Sequence, residues 1–437
     1  MIAANGIPSG WDRRQIGQCA SVKRGASPRP IEDPKWWGGE IGWVRISDVT
    51  SSRKYLTKTR DYLSEEGVRN SVQIKVGEVI LSICATIGRP IITTVPVCIH
   101  DGFVWFKGLP DDIHREYLYY YLASKEAELA NSRQTGTQGN LNTTIVSKLE
   151  LLLPSSRAEQ AKIAEILSTI DRAIGQTEAS IAKQQRIKTG LMQDLLTRGI
   201  DAHGNVRSER THKFKDSSLG LIPVEWEVQP CIALCKQIVV GIVIRPVQYY
   251  KPDGVPVLRS ANVRENRIDP SNLVFMSEKD NETLSKSQLY TGDLVTVRTG
   301  YPGTTAVVPS ELDGSNCVDV VISRPNPDRI RSEFLSIWIN SDDGKRQVLE
   351  GQGGLAQQHF NVGEMKSLLV KTPSLAEQQR IEEVLIQQRS MENSILETLR
   401  KLIVLKTALA QDLLTGKRRV TPLLESEPNR ENMYANS

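Results

Sequence analysis

Two kinds of hydrophobic pattern alternate along the chain. From the start to about residue 150, short β-rich runs such as "EVILSI" (from Glu78) and "PIITTVPVCI" (from Pro90) are separated by Gly, Pro, Asn and Asp, the punctuation of strands and turns. A helical pattern, "REYLYYYLASKEAELA" from Arg115, interrupts them. After Pro154 the period changes. Ile163, Leu167, Ile170, Ile174, Ile181, Leu191 and Leu195 fall three or four residues apart, with Thr177, Gln184 and Lys188 interrupting the stripe. The alternation then repeats. Strand-like runs ("DLVTVR", "TTAVVP") end at Pro373, and a second stripe follows through Ile381, Leu385, Ile395, Leu402, Leu409 and Leu413.

Each stripe predicts about 40 residues of uninterrupted helix, or about 60 Å. Ser155 or Ser156, and Ser374, are candidate N-caps, and Gly199 and Gly416 are candidate C-terminal stops. A helix of that length needs a partner for its stripe. Antiparallel pairing of the two is the simplest solution, and packing of each on its own globule is the alternative.

The alternation is a true internal repeat. "KTGLMQDLLT" from Lys188 matches "KTALAQDLLT" from Lys406, and "IPSGW" from Ile7 matches "IPVEW" from Ile222. "VRISDV" from Val44 resembles "LRSANV" from Leu258, and "LLLPSSRAEQAKI" from Leu151 matches "LVKTPSLAEQQRI" from Leu369. A unit of about 215 residues is therefore used twice. Residues 50 to 75 and 91 to 135 barely resemble 264 to 290 and 305 to 350, which gives one scaffold with two different surfaces.

Composition narrows the function little. The net charge of +4 permits an anionic partner without demanding one. No apolar run reaches the roughly 18 residues of a membrane span, and "MIAANGIPSGWDRRQ" is too polar for a secretory signal, so a cytoplasmic location is expected. The six cysteines are expected as buried free thiols. There is no GxxxxGK[ST], GxGxxG after a strand, HExxH or GxSxG, so no catalytic residue and no metal site is predicted. His100 before Asp101 is either half of a catalytic pair or a structural hydrogen-bonded pair.

Candidate contacts to an anionic polymer are more numerous. "SVKRGASPRPIEDPKWW" offers Lys23, Arg24, Arg29, Lys35, Trp36 and Trp37, and the second copy offers Lys236, Arg245, Tyr249, Tyr250 and Lys251. The two tryptophans suit either a nucleic-acid surface or half-buried packing. Matched Gly-Gln segments, "TGTQGN" and "GQGGLAQQHF", bring Gln138, Asn140, Gln357 and Gln358, which suit adenine edges or belong to plain surface loops. "VGEVILSICATIG" from Val76 aligns with "TGDLVTVRTGYPG" from Thr291, placing Gly77 on Gly292 and Gly88 on Gly303. Arg89 and Arg298 follow or lie within these glycine strand motifs and either contact guanine or hold a scaffold carboxylate. Arg45 and Arg259 recur in register, which favours a scaffold or phosphate role.

Taken together and in duplicate, "GIPSGW" and "LGLIPVEWEV", the glycine strand motifs, the helix entries Pro154/Glu159/Gln160/Ile163 and Pro373/Glu377/Gln378/Ile381, and the two "QDLLT" segments resemble the specificity subunits of Type I restriction-modification systems, over nearly the whole chain. The resemblance implies an α+β fold with two target-recognition domains (1–155 and 219–374) and two long antiparallel helical spacers (156–198 and 375–416). A linker over 199–218 is expected, and the polar end of 417–437 predicts a disordered tail. The resemblance further implies double-stranded DNA as ligand, each domain reading half of a bipartite site, and helices that set the spacing and dock two modification (methyltransferase) subunits. Restriction/translocase subunits would join, and S-adenosylmethionine would be bound by the modification subunits, leaving this chain non-catalytic and without a cofactor. The competing expectation is a coiled-coil adaptor without sequence-specific DNA binding.

Overall fold

The computed structural model describes residues 7–131, 141–350 and 359–425. The chain forms two units of mixed α and β structure, Met1–Ala179 with Glu397–Ser437, and Ser180–Leu396. Both long helices, Arg157–Thr197 and Leu375–Leu414, are divided between them.

In the first unit a five-stranded sheet runs in the order Ser21–Arg24, Phe103–Lys107, Val79–Ser82, Pro90–Thr93, Tyr55–Leu56. A four-stranded sheet runs Asp61–Leu63, Trp37–Val44, Val97–Ile99, Val72–Ile74. The second unit repeats the plan. Cys235–Val240, Val320–Pro325, Leu294–Val297 and Thr305–Val307 form one sheet, and Val274–Met276, Val255–Arg259 and Asn316–Val318 another. The continuous apolar runs lie inside. Every residue of Val79–Ser82, Pro90–Thr93 and Leu294–Val297 is buried, as strands covered on both faces require.

One parallel pair in each unit fixes the correspondence between them. Val44 lies opposite Ile99, and Leu258 opposite Cys317. Since Val44 and Leu258 each precede the recurring arginine, Asp101 and Asp319 occupy the same turn, two residues beyond that register.

The motifs shared by the two copies converge on one node per unit. In the second unit the Glu377 carboxylate is buried and accepts from Arg207 Nη2 (3.0 Å), Trp226 Nε1 (3.1 Å) and the Ile200 amide (3.0 Å). In the first, buried Glu159 accepts from Arg419 Nε (2.7 Å) and Nη2 (2.8 Å), so the expected disorder from 417 is corrected: this contact and the short helix Thr421–Glu425 order the start of the tail. A buried carboxylate is tolerable when so fully paired. Thus the residues after the end of one long helix clasp the start of the other. Gly199 (φ +65°) and Gly416 (φ +70°) make that turn, and a Cβ would drive Gly199 into Trp226 and Gly416 into Pro8 and Trp11. The neighbouring glutamines are matched too. Gln160 accepts from the His114 amide (2.8 Å) and donates to Pro154 O (2.9 Å), while Gln378 accepts from the Arg331 amide (2.9 Å) and donates to Pro373 O (2.9 Å). Ser156 and Ser374 cap the helices, each accepting at 3.4 Å from the amide three residues on.

Within each unit the helices run antiparallel. Asp171 meets Lys406 (2.6 Å) in the first, and in the second Gln388 Nε2 donates to Gln184 Oε1 (2.8 Å) and Lys188 lies 3.7 Å from Glu392. The stripes differ from the expectation of one continuous helix-helix seam. Ile163, Leu167 and Leu413, with Leu409 at its edge, join the core of the first unit around Trp11 and Tyr117. Leu195, Ile381 and Leu385, with Leu191 at its edge, join the core of the second around Trp226, Phe334 and Trp338. Ile170 is buried, but Ile174, Ile395 and Leu402 remain half-exposed. The helix ends find more apolar surface on sheet and helix than on each other, so burial is concentrated there.

Candidate nucleic-acid interface

In the first unit the candidate site is built around the Asp101 turn. The strand Ser21–Arg24 exits through Gly25, whose amide donates to Phe103 O (3.0 Å). Only glycine fits there, because a Cβ would strike the carbonyls of Ile99 and His100. The loop beyond is tied back to Asp101. Ser27 Oγ donates to Oδ1 (3.0 Å), Arg24 Nε donates to the backbone oxygen (2.5 Å), and the guanidinium groups of Arg24 and Arg29 lie 3.7 and 3.8 Å from Oδ2. Burial alone would raise the Asp101 carboxyl, but the Ser27 hydroxyl, Arg24 and His100 together hold it below its ordinary value. Both arginine side chains stay largely in solvent, at 58% and 70% exposure, and Lys23 is exposed beside them.

His100 is a packed residue, but not through a hydrogen-bonded pair with Asp101, whose Oδ1 lies 3.7 Å from the imidazole Nδ1. Burial lowers its pKa, its Nδ1 accepts the Gly102 amide (2.8 Å), and its ring packs against Trp43 and Phe103.

Two expectations for this region are corrected. Trp36 is not a surface ring. It is buried with Trp43, Leu63 and Cys98, and its Nε1 donates to Pro30 O (2.8 Å). Trp37 is half-buried, with Nε1 on Ile31 O (3.2 Å), and Lys35 sits over the Trp36 ring at 4.2 Å beside Asp33 and Glu66. The basic-aromatic run is thus a packed loop with a charged rim. Arg89 contacts Ser52 O (3.4 Å) and lines a cleft of about 950 Å³ with Arg53, Tyr119, Asp171 and Lys406, away from the contacts of the Asp101 turn.

The second unit uses the same turn differently. Gly241 takes the place of Gly25, donating to Val320 O (2.9 Å), with no room for a Cβ beside Cys317. Asp319 has a left-handed backbone (φ +52°), and its amide donates to Ile242 O (3.1 Å). Its carboxylate accepts from Arg298 Nη1 (2.8 Å) and Thr299 Oγ1 (3.0 Å). Arg298 is therefore a scaffold residue and not a free base reader. Its carbonyl also accepts the Phe360 amide (2.9 Å), which ties the chain after residue 358 to the same turn.

Arg245, on a left-handed backbone (φ +44°), is exposed and forms no ion pair among the described residues; Lys236 is exposed too. Gln138, Asn140, Gln357 and Gln358 lie outside the described residues.

Arg45 and Arg259 prove to be matched scaffold residues. Each amide bonds the side chain three residues on, Asp48 (2.8 Å) or Asn262 (3.1 Å), and each guanidinium braces a neighbouring strand or loop, through Asp61 or through Asn272 O (2.6 Å). Sequence reasoning missed the central role of Asp101 and Asp319. Their separations from the recurring arginines differ in sequence, so the equivalence is visible only in the strand register, where each stands two residues beyond the partner of Val44 or Leu258. It also missed Ile244, Val247 and Tyr301, large residues standing in solvent around the second turn.

The arrangement places exposed guanidinium and ammonium groups on loops held by a common turn, a geometry suited to phosphate contact and groove recognition. Comparison with known proteins agrees. Residues 8–185 match the family described as Type I restriction modification DNA specificity domain. The chain is 26% identical to the Type I restriction enzyme MjaVIII specificity subunit of Methanocaldococcus jannaschii, over 70% of this chain and 71% of that one. It is also 26% identical to the putative MjaX specificity subunit of the same organism over 95% of each, and 21% identical to the Escherichia coli EcoBI specificity subunit over 86% and 78%. The fold resembles the crystal structure of a Type I S subunit from M. genitalium, with a TM-score of 0.56 at 13% identity over 94% and 98% of the two chains. It also resembles a chain from a structural study of assembly and conformational transition in the type I R-M system, with a TM-score of 0.58 at 16% identity over 93% and 98%. Among the described residues no helix is long and apolar enough to cross a membrane.

Proposed function

Because the chain resembles the specificity subunits of Type I restriction-modification systems, we propose that it supplies DNA sequence specificity and that each unit reads one half of a bipartite asymmetric site in double-stranded DNA. The Asp101 and Asp319 turns are the organising points of the two reading surfaces. The observation that carries this reading is the pairing of an invariant frame with unlike loops. Asp101 and Asp319 share one register position, yet one holds Arg24, Ser27 and Arg29 and the other holds Arg298 and Thr299. A protein reading two different half-sites needs this combination. In this reading Lys23, Arg24, Arg29, Lys236 and Arg245 engage the phosphates or groove edges.

The long helices set the distance between half-sites and, through surfaces that include the exposed Ile403, Val404 and Leu405, receive two modification subunits. Those subunits bind S-adenosylmethionine and carry out adenine methylation, restriction/translocase subunits complete the assembly, and this chain contributes no catalytic group. The complex works in the cytoplasm. The adaptor alternative is disfavoured, since the relatives are named for specificity.

The test is methylation mapping of DNA from cells carrying the chain with its modification subunit, against cells lacking only the chain. A two-part methylated motif that disappears with the chain is expected. Methylation unchanged by its loss, with the modification subunit active, would overturn the proposal.

A further inference from the structure

We propose that the tip Ile244, Arg245, Pro246 and Val247, together with Tyr301, forms an apolar wedge by which the second unit enters and unstacks a base step of duplex DNA. The inference rests on the DNA-reading role proposed above and assigns a mode of reading to one unit only.

Four observations lead there. First, Arg29 and Arg245 both follow a matched glycine by four residues and precede a proline, but only Arg29 has a carboxylate partner. The equivalent acid in the second unit, Asp319, is occupied by Arg298 and Thr299, which leaves the Arg245 charge uncommitted. Second, the flanking residues are apolar and stand in water. Ile244 is 75% exposed and Val247 72%, whereas large β-branched side chains are ordinarily covered.

Third, the tip is held from below. Ile242 bridges to Val318, and Tyr249 and Tyr250 pack against the cluster of Ile242, Val257 and Met276. Between these anchors Arg245 takes a left-handed backbone, which side chains other than glycine adopt at a cost. Such strain persists where surrounding structure enforces it. Fourth, a second projection hangs from the same turn. Thr299, bonded to Asp319, leads into Gly300 (φ +85°), Tyr301, Pro302 and Gly303 (φ +84°), and Tyr301 is 83% exposed.

The chemistry selects the ligand. Apolar side chains beside an arginine suit a base step, where the former replace stacking contacts and the latter meets phosphate or the groove floor. Charge points the same way, because Arg245 and Lys251 are both exposed and the one acid in the segment 241–253, Asp253, forms no ion pair with either. Unstacking is cheapest at flexible pyrimidine-purine steps, so the half-site of this unit is expected to contain one at the wedge position.

The test uses the full chain assembled with its modification subunit, and a duplex carrying the mapped two-part site with 2-aminopurine placed at each step in turn. With the natural chain, fluorescence is expected to rise on binding at one step within one half-site. Ile244→Ser with Val247→Ser, or Tyr301→Ser, is expected to remove the rise and weaken binding about tenfold, the scale of losing one stacking contact, with the melting temperature unchanged because these side chains are in solvent.

Specific binding with no rise at any step, or variants that bind and fluoresce like the natural chain, would overturn the wedge alone. Loss of the modification subunit from the variant complex with DNA binding retained would make the tip a protein contact and also overturn the wedge. Absence of sequence-specific binding by the natural complex would overturn the underlying reading, and the wedge with it.

Discussion

Two arginines in matched positions, Arg29 and Arg245, show how one residue type carries different physics in the two units. Arg29 is paid for electrostatically by Asp101, whereas Arg245 bears backbone strain and has no such partner. Arg245→Gly should therefore raise the stability of the second unit, by about 0.5–1 kcal/mol, since glycine adopts positive φ freely. Chemical denaturation of the two forms checks the sign, and a loss of stability would show that the guanidinium holds the fold. In the first unit, Arg24→Ala with Arg29→Ala should leave stability nearly unchanged while reducing the slope of log affinity against log salt by about two, one counterion for each lost phosphate contact. Trp36→Ala should do the opposite. Its indole is core, so the expected cost is about 3–5 kcal/mol, with the salt slope of the remaining folded protein preserved.

At the scale of elements, the clasp explains why the same short motifs occur twice. The tryptophan of "IPxxW", the Glu-Gln at the helix entry and the glycine after "QDLLT" meet at one node in each unit. Arg207→Ala would strand the buried Glu377 carboxylate with only Trp226 and the Ile200 amide, and should destabilise the second unit by roughly 3 kcal/mol. Hydrogen exchange of the core amides of that unit would report it, and protection equal to that of the natural chain would refute the clasp.

The units should also differ in their response to acid. In the first, burial lowers the pKa of His100 and His114, so the unfolded state binds protons more readily, and stability is present above about 6.5 and lost as pH falls below it. In the second, burial raises Asp293, Glu333 and Glu382, which contribute in the opposite sense, favouring the folded state as pH falls. Taking the protein from pH 7 to pH 5 should thus reduce exchange protection in the first unit more than in the second, after correction for intrinsic rates. Equal loss in both would contradict the assignment.

The elements also mark what the sequence made legible. The helices, their caps and the repeat follow from periodicity and identity, which are local. The paired sheets were only partly visible, because stretches with no shared pattern, 50 to 75 and 264 to 290, still supply equivalent edge strands, Asp61–Leu63 and Val274–Met276. The burial of Trp36 and the ion pair of Arg298 depend on partners distant in sequence, Leu63 and Cys98 in one case and Asp319 in the other, and no local pattern announces them.

For the whole molecule, the division of each long helix between the two units gives the spacing role a sharper form than either helix alone would. The first passes from one unit to the other between Ala179 and Ser180, and the second between Leu396 and Glu397. Within each unit the helices are pinned to one another and to the core, by Asp171 with Lys406 and by Gln184 with Gln388. An insertion in the first helix alone therefore has no matching length in the second, and should strain the pinned pairs and lower stability. Inserting seven residues at both points of passage keeps each stripe on the same face, because seven is close to two turns. At 1.5 Å per residue this adds about 10 Å, or about three base pairs at 3.4 Å each. The doubly inserted chain should consequently methylate a motif whose nonspecific spacer is about three base pairs longer, with both half-sites unaltered. Methylation mapping reads spacer and half-sites together. An unchanged spacer in an active complex would separate half-site distance from helix length, whereas altered half-sites would mean that the reading surfaces depend on the helices they are mounted on.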